Sequence, residues 1–141
     1  MEPVDYMDTF IAVADDCPVE RGTIPPGDTS AAARAFRLIR ENPYGFTSGD
    51  VLFAIHAPRQ GIAPAQSVAA RRESYTRGRP CPRTSDLCRR YGRGTHADST
   101  GRVALVAMET PEYAEFVSGR RRGASGSTIT RAKALRRARV P

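Results

Sequence analysis

Tryptophan is absent from the chain, lysine occurs once, histidine twice and cysteine three times. Each scarcity excludes something. Cys17, Cys81 and Cys88 lack the C-x2-C spacing of structural zinc sites, and only His56 and His96 remain to complete a four-ligand set. No metal and no cofactor is therefore expected. The opening residues, MEPVDYMDTF, lack the basic stretch and following apolar stretch of an export signal. An odd number of cysteines behind such a start reads as free thiols in a reducing compartment, so a cytoplasmic protein is expected. No apolar run approaches the roughly 20 residues of a membrane span, so no membrane partner is expected.

Acidic residues are missing altogether from the last 22 positions, which carry eight basic ones. That absence locates the formal net charge of +7. Residues 1–70 set five arginines against nine acids, a net of −4, and residues 71–119 set nine against six, a net of +3. The high pI is thus a property of residues 120–141. Of the 22 basic residues only Lys133 is lysine. GC-rich coding produces such a bias as easily as bidentate phosphate recognition does.

A chain of 141 residues is enough for one domain with a core of its own. Asp8–Ala14 reads as a strand, short and rich in β-branched and aromatic residues. Ser30 caps a helix over AAARAFRLIREN, whose apolar residues recur at helical spacing until Pro43. TSGDVLFAIHA is too densely apolar for periodicity to separate a buried helix from a strand. A cap at Thr47 or Ser48 with Asp50 in the first turn favours helix. PAQSVAARRESYTRG is expected as a further helix. Thr84 or Ser85 then caps the short helix SDLCRRY, where Leu87, Tyr91 and the neighbouring Cys88 face the core. RGTHA and RVALVAME pair as a hairpin around Asp98 and Gly101. TPEYAEFVSG is a helix with Thr110 as cap, Pro111 at its first position and Gly119 as its stop. The fold expected is α+β: a small antiparallel sheet of the N-terminal strand plus the C-terminal hairpin, packed against several helices. Residues 1–119 would form one globular domain and residues 120–141 a flexible Arg-rich basic tail.

The blocks DTFIAVADDCPVERGTIPP, ENPYGFTSGDVLFAIHAPRQGI, GRPCPRTSDLCRRYGRGTHADSTGRVALVAME and EYAEF occur in that order. Together they resemble a family of small bacterial and fungal proteins known as domain of unknown function 6157. The resemblance spans residues 5 to about 117. It implies a soluble single domain and carries over no catalytic residues. It also implies a Trp at position 93, an aliphatic residue at 95 and a Gly at 88, where this chain has Arg93, Thr95 and Cys88.

Three functional readings compete. The first is binding of a small anionic ligand or nucleic acid through Arg83, Arg89, Arg90, Arg93, Tyr75 and Tyr91, where cations and stacking rings alternate. The basic tail of Arg120, Arg121, Arg122, Arg131, Lys133, Arg136, Arg137 and Arg139 would join in by counterion release. Against it stands an ordinary solvated basic face paired to the acidic first half. The second reading is a small enzyme. His96 and Asp98 share a strand face and would form a general base, with Cys81 as nucleophile. Against it, His96 and Asp98 simply shape the hairpin turn. The third is a protein-interaction module whose acidic first half meets a basic partner.

Overall fold

The structure is a computed structural model that describes residues 5–59 and 82–136. Strand β1 (Thr9–Ala12) buries Phe10 and Ile11 on opposite faces, and so belongs inside a sheet that is covered on both sides. The sheet has four strands in the order β3-β2-β1-β4. Strands β2 (Arg93–Ala97) and β3 (Val103–Ala107) form the expected antiparallel hairpin, with Arg93 opposite Ala107 and Ala97 opposite Val103. β2 also pairs antiparallel with β1, Phe10 facing His96.

On one face lie α1 (Ala31–Glu41), α2 (Ser48–Arg59) and the single turn α3 (Asp86–Arg89). Their core joins Phe36, Ile39, Val51, Ile55 and Leu87 to Ala97 and Val103 of the hairpin. The other face packs α4 (Pro111–Ser118) through Phe116, which stacks on Phe10 at 4.6 Å with Val106 and Ile129 beside them. Gly94 is required there, because a Cβ would sit 2.6 Å from the Phe10 ring.

The helix starts follow the expected caps. The Ser30 hydroxyl accepts from the Ala33 amide, and Thr110 accepts from Tyr113. Thr47 and Asp50 cap α2 reciprocally, each side chain accepting from the other's backbone N–H, which resolves the ambiguous DVLFAIHA run as helix. Gly119 ends α4 in the left-handed conformation (φ 81°). The expected helix over PAQSVAARRESYTRG lies outside the described residues.

Residues 120–136 differ from the expected flexible tail. β4 (Thr130–Lys133) pairs parallel to β1, with Thr9 opposite Thr130 and Ala12 opposite Lys133, so the sheet is mixed. Ile129 and Ala134, one residue beyond each end of the strand, are buried. The Ala134 amide donates to Ala12 O at 2.9 Å and the Thr130 amide to Asp8 O at 2.8 Å. Two apolar anchors and a ladder of backbone bonds order a segment whose side chains are otherwise exposed.

Candidate anion-binding cleft

The proposed pairing of His96 with Asp98 does not form. One Asp98 carboxylate oxygen accepts from the Thr100 amide, the Thr100 hydroxyl and the Arg102 amide, at 2.9, 2.7 and 3.1 Å. Burial pushes this carboxyl up, but the hydrogen bonds from Thr100 and Arg102 outweigh it and hold the carboxyl below its ordinary value. Asp98 is a turn residue. His96 meets Tyr44 instead, Nδ1 to the hydroxyl at 2.8 Å, and lies against Phe116 at 4.6 Å. Burial lowers its pKa, with Asp98 pulling the other way, and its Nε2 is buried without a hydrogen-bond partner among the described residues. Cys81 and Tyr75 lie outside the described residues. Cys88 is fully buried beside the Thr95 hydroxyl, and burial pushes its thiol up to about 11. A thiol so placed is structural.

The arginines expected to gather around an anion are dispersed. Arg83 Nε donates to Lys133 O at 2.7 Å, and Arg89 donates to Leu135 O and Arg136 O at 3.2 and 3.0 Å. Both fasten the end of β4 to the body. Arg90 pairs with Asp86 across one helical turn, and Tyr91 packs half-buried on the α1/α2 core. The basic tail is engaged too. Arg120 donates to Ser118, Arg122 to Thr128 and Arg131 to Val117 O. Arg121 lies over Phe116 beside Glu112 and Glu115. Lys133 and Arg136 both reach Asp15, at 2.9 and 3.6 Å, and the hydrogen bond and charge of Lys133 hold that carboxyl below its usual value. Arg137 and Arg139 lie outside the described residues.

Arg93 is different. It stands where the resemblance implies a Trp, and its guanidinium lies over the Phe36 ring, 5.0 Å from the centroid. Arg40 lies over the same ring at 5.6 Å. Both line an open cleft of about 300 Å³ between α1 and β3, together with Ile24, Pro43 and Leu105. No carboxylate is among the described residues lining it. Burial lowers the Arg93 pKa, Glu109 opposes, and Arg40 lowers it further, so the two cations face each other unfavourably. Arg40 forms no ion pair among the described residues. Among the described residues Arg93 spends only its Nε, on Thr23 O at 3.2 Å. The loop that receives it is fixed: the Gly22 amide donates to Glu109 at 2.6 Å and the Thr23 amide to Tyr91 O at 2.8 Å. A Cβ at Gly22 would meet Ala107 at 2.7 Å and the Arg93 guanidinium at about 3.0 Å, so glycine seats Arg93.

Arg40 was not anticipated as a site residue. It belongs to the half of the chain with net negative charge, and Phe36 and Arg40 four apart on one helix face were the only local sign. The cleft sits on a mixed four-stranded α+β frame. The family model described as "Family of unknown function (DUF6157)" matches residues 1–140, and the chain belongs to that family. No curated protein and no solved structure matches it. Among the described residues, no helix is long and apolar enough to cross a membrane. Those residues contain no group of three or more His, Cys, Asp or Glu able to hold a metal ion.

Proposed function

We propose that the protein binds a small anionic ligand, a carboxylate or phosphate carrying an apolar portion, in the cleft between Arg40 and Arg93. The observation that carries this reading is the pair of guanidiniums on the Phe36 ring, facing one cleft with no carboxylate among its described lining residues. Two neighbouring cations repel, and an anion between them removes that repulsion. Guanidiniums suit planar oxyanions because their N–H groups form parallel pairs of bonds. Ile24, 62% exposed beside the cations, offers apolar surface to the rest of the ligand.

Nucleic acid is the weaker form of the anion reading. Most basic side chains in 83–136 are bonded to backbone carbonyls or to Asp15, Glu112 and Glu115 along the rim. Calorimetric titration at constant ionic strength tests the choice, with benzoate, inorganic phosphate and a short single-stranded RNA as probes. Saturable binding of benzoate or phosphate is expected, weakened about tenfold or more by Arg40→Gln and by Arg93→Gln. RNA binding that ignores both substitutions, or no small-anion binding at all, would overturn it.

A further inference from the structure

A second cavity, of about 210 Å³, lies between α1, α2, the start of α3 and the sheet, with Ile39 bordering both it and the cationic cleft. Its described walls are mostly apolar, from side chains such as Ala32, Ala35, Val51, Ile55 and Val103. Among the described lining residues the polar ones are Ser48, Thr84, Ser85, Asp86 and Thr95. Ser48 lines the cavity, is only 7% exposed, and its hydroxyl makes no hydrogen bond among the described residues. Facing the cavity, that hydroxyl keeps its donor and acceptor capacity for a guest there. The other hydroxyls at this wall are accounted for differently: Ser85 caps α3 by accepting from Leu87, Thr95 meets the Cys88 thiol, and Thr84 has an interaction of its own. Ser48 has no such internal task, because Thr47 caps α2 in its place.

We propose that this cavity binds a small, uncharged, largely apolar molecule with one hydrogen-bonding group, which engages the Ser48 hydroxyl. The size suits a substituted single ring, since roughly 150 Å³ of apolar cavity holds benzene. The charge follows from the walls. Apolar side chains do not compensate a desolvated ion, and the only ionised group among the described lining residues is Asp86, already paired with Arg90 at 3.4 Å. An anion would meet the Asp86 carboxylate, so this site and the cationic cleft take different ligands.

Phenol and toluene make the test, being alike in shape and different in one hydroxyl. NMR-monitored titration of the full chain is expected to show one saturable phenol site, with toluene bound about tenfold more weakly. In Ser48→Ala the phenol affinity falls to that of toluene, while toluene is unchanged. Ala32→Phe, on the half-buried flank of α1, fills the cavity and abolishes binding of both, with circular dichroism confirming the fold. Absence of phenol binding to the wild type, or an undiminished phenol preference in Ser48→Ala, overturns the proposal. Because Arg40→Gln leaves this cavity intact, phenol binding that persists in that variant separates the two sites.

Discussion

Truncation after Gly119 removes β4 and should unfold or nearly unfold the protein. The loss can be built from the contacts. Burial of Ile129, 6% exposed among Phe10, Val106 and Phe116, contributes about 1.5–3 kcal/mol. The parallel ladder against β1 and its flanking bonds, Thr130 to Asp8 and Ala134 to Ala12, contribute about 1 kcal/mol per bond. The ion pairs of Lys133 and Arg136 with Asp15 are exposed and add little. The sum is about 5–8 kcal/mol, against a total stability of about 5–15 kcal/mol for a domain of ordinary kind. Urea unfolding followed by far-UV circular dichroism reads it. The truncated chain should lose its cooperative transition or shift it far to lower denaturant, and Ile129→Ala alone should cost about 2–4 kcal/mol. Raised salt should leave the full chain's midpoint nearly unchanged, because the charges do not hold the strand. A truncated chain with the full chain's midpoint would refute the reasoning and return residues 120–136 to the status of an appendage.

Other consequences are open to measurement. His96 has a pKa lowered by burial, so the unfolded chain binds its proton more readily than the folded one. The stability it permits is present above about pH 6.5 and is lost as pH falls below it. His96→Phe should flatten that slope in pH-dependent unfolding, and an unchanged slope would contradict the assignment. Cys88, buried with its thiol pushed up to about 11, should resist iodoacetamide in the native protein and react fully in denaturant, as peptide mass spectrometry would report. Asp98→Ala should destabilise by about 1 kcal/mol through loss of the turn bonds to Thr100 and Arg102. Gly22→Ala should displace Arg93 and weaken benzoate binding as much as Arg93→Gln does, whereas full affinity in that variant would show that the loop does not seat the guanidinium.

Local signals made most of the frame legible. Ser30, Thr110, Pro111 and Gly119 mark helix ends through chemistry confined to a few neighbouring residues, and the structure puts each to that use. The hairpin was legible for the same reason, since Asp98 and Gly101 form a local turn. β4 was not. TRAK alternates no apolar residues, its anchors Ile129 and Ala134 stand outside the strand, and its partner lies more than a hundred residues earlier. A Gly/Ser-rich stretch before it reads as a linker by composition alone. The cleft was legible only at Arg93. Arg40 comes from a helix whose charge was counted with the acidic half, and only the packing of α1 on the β2–β3 hairpin brings Arg93 of β2 to the ring that Arg40 already covers. Arg83 and Arg89 misled in the opposite sense, because sequence shows a cation and not the carbonyl that occupies it.

The most direct test of the account follows the arginine Nε–H resonances of the full chain through a benzoate titration at constant ionic strength. The account predicts that the Arg40 and Arg93 signals shift together and saturate with one dissociation constant. Arg131, whose guanidinium is bonded to Val117 O, should stay in place. Shifts spread over many arginines without saturation, or an unmoved Arg40 and Arg93 pair, would contradict it.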